Sequence, residues 1–143
     1  MEDLEILIGP MIETPRAIAL TGELAERSDF LSYGTNDLTE LVFGLDKAEE
    51  SLPGRYIGEK ILGENPAETL DASVKQLIRA SVRRARDRNP EIPLGVASEH
   101  AHDVESVEFF IRTGFQHVSA MHDQLPIARF AVAKAAIKLG LAS

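Results

Sequence analysis

The sequence contains no cysteine, so no disulfide bond can stabilise the fold. It also lacks any apolar run of about 18 residues, the length that a membrane-spanning helix needs. The opening residues, MEDLEIL, are acidic and apolar and do not resemble the basic start of a secretory signal. We therefore expect a cytoplasmic protein that does not enter a membrane.

Basic residues are also scarce. Fifteen lysine and arginine residues stand against 23 aspartate and glutamate residues, which gives a formal net charge of −8. This balance argues against a nucleic-acid partner or an anionic membrane surface. The negative charge suits a protein that binds phosphates through a metal ion, although a need for solubility explains the charge equally well. With 143 residues, 44% of them hydrophobic, the chain can form one domain (1–143) with a real core.

The sequence alternates between short apolar runs and segments with helical periodicity. The apolar runs predict four strands, the first apolar enough to be covered on both faces. A helical segment follows each run, and Pro15 and Pro126 suit the first turns of the first and last of these helices. Residues 36–45 suggest a short helix, whereas residues 46–64 predict irregular structure. The predicted strands are residues 4–12, 29–34, 92–98 and 116–121.

Capping signals mark two further helices. Asn65, Pro66 and Glu68 form a capping-box pattern, which predicts the start of a long helix at this point. Asp103 is a good N-cap and Gly114 a good C-terminal stop for another helix. Four consecutive βα units with parallel strands are therefore expected, joined by right-handed crossovers.

Two α/β architectures fit this succession of elements. One is an open doubly wound sheet, and the other is part of a (β/α)8 TIM barrel. A complete barrel typically needs about 250 residues, so four βα units resemble half of one. In both architectures ligands gather where the carboxyl ends of parallel strands meet the following loops. Polar residues cluster after the predicted strands: Glu13; Gly34, Thr35, Asn36 and Asp37; Ser98, Glu99 and His100; His122 and Asp123.

Four motifs in this chain, GPMIETPRA, DFLSYGTNDLTELVFG, GVASEH and PIAR, resemble a known enzyme family. They are similar to the C-terminal part of the phosphoenolpyruvate-utilising (β/α)8 domain. That domain is shared by pyruvate phosphate dikinase, phosphoenolpyruvate synthase and enzyme I of the sugar phosphotransferase system. The match runs in order along nearly the whole chain and is closest to the dikinase branch. It implies Mg²⁺-dependent binding of phosphoenolpyruvate, pyruvate or a related 2-oxo acid, in phosphotransferase or enolate chemistry.

The resemblance also implies roles for individual residues. Glu13 and Asp37 match the family's Mg²⁺ ligands, which suits an ion that takes hard oxygen ligands and neutralises an enolate. The implied substrate-binding residues are Gly34, Thr35, Asn36 and Glu99. Two simpler interpretations stay open. Asp37 could cap the following turn with Glu40 as its capping-box partner, and Glu13 could pair with Arg16.

The family's catalytic cysteine falls on Ala97, which cannot deliver a proton. The nearby candidates for catalysis are then His100, His102 and Ser98, of which the serine would need an activating base. Surface or structural histidines are the alternative. A transition-metal cluster is conceivable, but no established ligand spacing supports it. It would consist of His100, His102, Glu99 and Asp103.

Other parts of the family pattern are missing. The relatives' first four strands supply substrate-binding arginines, and the segment after GTNDLT retains only one cation, Lys47. There is no room for the ATP-grasp or phosphohistidine domains of a dikinase.

A half barrel leaves open edges. We expect a homodimer that closes the barrel or a partner chain that supplies the missing half, unless the sheet flattens. The alternative function is a catalytically inactive barrel half that serves as a metabolite-binding or oligomerisation module.

Overall fold

A computed structural model describes residues 4–45 and 51–141, which form one parallel sheet with helices between its strands. No helix in these two ranges is both long and apolar enough to span a bilayer. The strands are β1 (Met11–Ile12), β2 (Leu31–Gly34), β3 (Leu94–Ala97) and β4 (His117–Ser119). The helices are α1 (Pro15–Ala25), α2 (Thr35–Phe43), α3 (Ser51–Gly58), α4 (Ala72–Arg88), α5 (Val104–Thr113) and α6 (Leu125–Lys138).

The strand order decides between the two expected architectures. The strands lie in the order β1-β2-β3-β4, and all three pairings are parallel. A doubly wound sheet reverses its order at a switch point, whereas a barrel adds each new strand beside the previous one. The prediction of four parallel βα units is therefore confirmed, and their order is that of a partial (β/α) barrel.

A buried polar group ties the sheet to its helices. The Tyr33 hydroxyl lies 2.9 Å from the Ser81 hydroxyl of α4, which in turn bonds Thr21 of α1. All three residues are fully buried. Burial raises the pKa of Tyr33 to about 12, so the phenol stays protonated and able to donate. These bonds fix the helix pair α1 and α4 against β2 at the centre of the core.

Pro15, Asp103 and Gly114 mark helix ends where the sequence predicts them, and Thr14 adds a cap that was not predicted. Thr14 caps α1, because its side-chain oxygen accepts a hydrogen bond from the Ala17 N–H. Asp103 caps α5 through bonds from the N–H groups of Glu105 and Ser106. Gly114 ends α5 in the left-handed region at a φ of 91°, a conformation that glycine adopts at little cost.

The predicted start of the long helix is wrong. Helix α4 begins at Ala72, and Asp71 caps it by accepting a bond from the Ser73 N–H at 2.7 Å. Asn65 instead closes a turn, with its side-chain oxygen 3.1 Å from the Ala67 nitrogen. Part of the stretch expected to be irregular also forms a helix, α3.

The first strand is much shorter than predicted. Only Met11–Ile12 pairs as a strand, and the apolar residues before it are exposed rather than covered on two faces. Strand β4 also ends earlier than expected, at Ser119, so His122 and Asp123 lie beyond its end. The exposed residues of the first run are Leu4, Ile6, Leu7 and Ile8.

We predict that Ile78→Ala destabilises the fold by about 2–5 kcal/mol, because this fully buried α4 side chain leaves a cavity in the main core. Urea unfolding measures the effect. The matched control is Gln76→Ala, on the exposed face of the same helix, which should change stability by less than about 0.5 kcal/mol. Equal effects of the two substitutions would mean that the buried face of α4 is misassigned.

Candidate functional site

A cavity of about 430 Å³ lies at the carboxyl edge of the sheet. Its volume is within the range of small-molecule binding sites. Residues that follow each of the four strands reach its wall. The lining residues are Met11, Glu13, Gly34, Asn36, Asp37, Thr39, Glu40, Leu45, Ala67, Ala97, Ser98, Glu99, Ser119, Ala120 and Met121.

Glu13 sits between the end of β1 and the cap of α1, and its side chain lies over the end of β2. A Cβ added at Gly34 would be 2.9 Å from the Glu13 Cβ and 3.1 Å from its Oε2. Gly34 has an ordinary φ of −96°, so space rather than backbone conformation calls for glycine here. Glu13 and Arg16 make no ion pair, which removes the simpler interpretation of Glu13.

Helix α2 brings Asn36 and Asp37 to the same cavity. Because α2 begins at Thr35, Asp37 lies within its first turn and is not the capping residue that the simpler interpretation required. A carboxylate in the first turn of a helix is stabilised by the helix dipole. The Asn36 side-chain oxygen accepts a hydrogen bond from the Glu99 N–H at 3.0 Å. This bond joins the first turn of α2 to the segment after β3.

The described part of the cavity wall is strongly acidic. Glu13, Asp37, Glu40 and Glu99 line it, and no lysine, arginine or histidine from residues 4–45 or 51–141 does so. Lys47, the one cation that the sequence offered near this position, lies outside the described residues. An acidic wall repels an anion unless a cation lies between them.

The donor set fits a hard divalent cation. Two carboxylates from neighbouring βα junctions, Glu13 and Asp37, line one cavity, and the missing side chain of Gly34 leaves room for the Glu13 carboxylate. Mg²⁺ is commonly held by one or two carboxylates, with substrate oxygens and water completing its octahedron. Within the described residues no group of three or more histidine, aspartate or glutamate side chains converges on a common point. The conceivable transition-metal cluster around His100 and His102 is therefore not formed.

His100 lies behind the cavity wall and is fully buried. Its Nε2 is 2.8 Å from the Pro66 carbonyl oxygen, and its Nδ1 is 2.8 Å from the Thr35 hydroxyl and 3.2 Å from the Ser98 hydroxyl. The ring thus connects the loop before α4 with the first turn of α2 and the segment after β3. Thr35 is also fully buried and does not line the cavity.

The hydrogen bonds assign the protons of this group. A carbonyl oxygen only accepts, so Nε2 carries a hydrogen and donates it to Pro66. Burial lowers the pKa of His100, which favours a neutral ring whose Nδ1 accepts a hydroxyl proton. Ser98 reaches the cavity, and its Oγ also accepts the His100 backbone N–H. The arrangement holds three loops in place and does not aim the imidazole at the cavity.

The structure thus brings together six of the nine candidate residues named from the sequence. Thr35 and His100 lie behind the wall, and His102 does not line the cavity. The sequence reasoning missed Thr39, which lies on α2 one turn beyond Thr35, and Ala67, which belongs to the turn before α4. It also missed Ser119, Ala120 and Met121, because it placed the end of the fourth strand too far along the chain.

Comparison with known proteins gives one family. The model of the family described as "PEP-utilising enzyme, PEP-binding domain" matches residues 1–137. The chain is 39% identical over 135 residues to a pyruvate, phosphate dikinase of Rickettsia bellii, covering 93% of the chain. It is 40% identical to pyruvate, phosphate dikinase 2 of Zea mays over 89% of the chain, and 40% identical to the Clostridium symbiosum pyruvate, phosphate dikinase over 94%. These alignments span only 15–16% of the relatives' own length.

We predict a pH-dependent stability that traces to His100. The unfolded chain's histidine gains a proton near pH 6.5, whereas the buried ring, with its lowered pKa, resists protonation. The unfolded state therefore binds more protons below this pH, and the free energy of unfolding falls as the pH drops from about 7.5 to about 5.5. In His100→Gln this fall should be smaller, although stability at about pH 7.5 drops by about 1–3 kcal/mol because a buried hydrogen bond is lost.

Urea unfolding at several pH values measures both effects. His122→Gln is the matched control, because His122 is exposed and its loss should leave the pH dependence unchanged. If His100→Gln retains the full parental pH dependence, the buried imidazole is not its source.

Proposed function

The chain belongs to the family of PEP-binding domains of PEP-utilising enzymes, and on that basis we propose that it binds a 2-oxo acid or its enol phosphate together with Mg²⁺. The ligand class is phosphoenolpyruvate, pyruvate or a close analogue. The observation that carries this proposal is the meeting of Glu13, Asp37 and Asn36 on one cavity wall. The setting we propose for this binding is the cytoplasm, as expected from the sequence.

Each residue in the proposed site has a distinct task. Glu13 and Asp37 hold the cation, whose charge offsets the acidic wall and stabilises negative charge on the bound acid. The first turn of α2 lies at the cavity, and the positive end of the helix dipole there favours an anionic oxygen. Asn36 uses its side-chain oxygen to hold Glu99, so its amide N–H groups serve as donors to the ligand.

The proposed chemistry stops short of protonating an enolate. Ala97 stands at the position of the family's cysteine, and the Ser98 hydroxyl belongs to the hydrogen-bonded group around His100. Neither side chain supplies a proton at neutral pH. The chain therefore contributes binding and charge neutralisation to a phosphotransferase-type or enolate reaction, and any proton comes from another source.

We predict that calorimetry detects binding of phosphoenolpyruvate or oxalate in the presence of Mg²⁺ and none in its absence, because the acidic wall needs the cation. Glu13→Gln and Asp37→Asn should each weaken binding by about tenfold or more, since each replaces a charged metal ligand by a neutral one. Both substitutions preserve side-chain shape.

The matched control is Glu23→Gln, which removes an exposed carboxylate of α1 far from the cavity lining. It should bind as the parent does. Binding that is equally strong without Mg²⁺, or unaffected by the changes at Glu13 and Asp37, contradicts the metal site. No binding by the parent chain refutes the proposed function.

A second candidate function, assembly, is favoured by two exposed apolar surfaces. The first consists of Leu4, Ile6, Leu7 and Ile8 beside β1, and Leu4 is 84% exposed. The second is a stripe along the outer side of α6, where Phe130 is 67% exposed. Its members are spaced by three, seven and four residues, which places them on one side of the helix, with the last member just past its end. They are Ile127, Phe130, Ile137 and Leu141.

We propose that a second copy of the chain covers these surfaces. The surfaces lie at opposite edges of the sheet, so the β1 edge of one copy can meet the β4 and α6 edge of the other. Their charges are complementary, because α6 carries Arg129 and Lys134, whereas the first surface contains Glu5. Lys138 already pairs with Glu108 of its own chain. Two such contacts would give eight parallel strands around one axis.

We predict that light scattering finds a particle of twice the 15.7 kDa chain mass. Phe130→Glu should raise the dissociation constant of this dimer by about tenfold or more, because it places a charge in the apolar contact. Arg83→Glu, on the exposed side of α4, is the control and should leave the dimer intact. A monomer at all concentrations rules out self-association, and a stable complex only with a separate chain assigns the surfaces to that partner.

A further inference from the structure

One buried hydroxyl on the cavity wall lacks a hydrogen-bond partner. Thr39, on α2, is 3% exposed, and its Oγ1 has no partner among the residues that the structure describes. The same residue lines the cavity together with Asn36 and Asp37. A buried hydroxyl without a partner costs stability, so folded proteins contain few of them.

The other fully buried hydroxyls of the described chain are satisfied. Thr21 bonds Ser81 and two carbonyl oxygens of its own helix, and Thr35 bonds Ser98 and His100. Ser106 donates to Asp103 and accepts from the Leu70 N–H. Within the described residues two buried side-chain atoms lack a partner, the Thr39 Oγ1 and the Gln124 Oε1, and only Thr39 lines the cavity. A bound ligand is the natural partner for a group at this place.

We propose that the Thr39 hydroxyl is a ligand-binding group that donates a hydrogen bond to an oxygen of the bound acid. Two features of its position and one of the ligand support this role. Thr39 lies on the same helix as Asn36 and Asp37, so one rigid element carries all three. The residue is fixed by burial, and an acid ligand offers several acceptor oxygens. This inference rests on the proposed function. It adds a ligand contact from a residue that does not directly follow a strand.

The structure also excludes the main local alternative. Threonine in a helix often bonds the carbonyl oxygen one turn back, as Thr21 does with Ala17 and Thr113 does with Phe109. Thr39 makes no such bond. Ligand binding at this hydroxyl would therefore break no bond inside helix α2.

The test is Thr39→Val, which removes the hydroxyl and keeps the shape of the side chain. We expect the dissociation constant for phosphoenolpyruvate or oxalate with Mg²⁺ to rise about 5- to 20-fold, as the loss of one hydrogen bond to a charged group predicts. The melting temperature of the ligand-free protein should stay the same or rise, because the lost hydroxyl has no partner in the protein. Titrating both ligands reveals whether the contact is to a carboxylate or a phosphate oxygen.

Thr21→Val is the matched control. It removes a buried threonine hydroxyl that is bonded inside the core, so it should lower the melting temperature and leave ligand affinity unchanged. Parental affinity for both ligands in Thr39→Val overturns the inference, and so does a lowered melting temperature without loss of affinity. A parent chain that binds neither ligand refutes the proposed function itself, and the inference with it.

Discussion

The parallel pairing of four short strands in chain order is the constraint on which the site depends. Adjacent strands run in the same direction, so Gly34 at the end of β2 lies opposite Ala97 at the end of β3. The residues that follow each strand then meet at one edge, although they are far apart in the sequence. If any one strand were reversed, its following residues would lie at the other edge, and the acidic cavity would lose a wall.

A buried imidazole maintains this edge from behind. His100 binds the turn before α4 and the hydroxyl beside the first turn of α2, so it sets the relative positions of loops that contribute to the cavity. A histidine next to a reactive-group position suggests proton transfer on the basis of sequence. Its burial and complete hydrogen bonding support a scaffold role instead.

The sequence predicted the fold and six of the fifteen residues that line the cavity, because both follow from periodicity. Glu13 and Asn36 come directly after apolar strands, and parallel strands bring such positions together. The start of α4 was predicted wrongly at Asn65 because a capping pattern depends only on neighbouring residues. Asp71 caps equally well and lies nearer to the buried residues of α4. The apolar run at 4–8 led to the prediction of a long buried strand. Apolar residues indicate that a surface is suited to packing, but they do not show whether the same chain or another one packs on it. Thr39 was not recognisable, since the pairing of a hydroxyl depends on the tertiary structure.

The two open edges of the sheet differ from each other, and this asymmetry limits what copies of the chain can build. A contact that joins unlike surfaces is heterologous, so each added copy leaves one surface of each kind free. If the curvature of four strands amounts to half a turn, the second copy closes the ring and growth stops. If the curvature is smaller, the same contact repeats without end and produces a filament. The curvature of this short sheet therefore determines whether the copies form a closed particle or a filament.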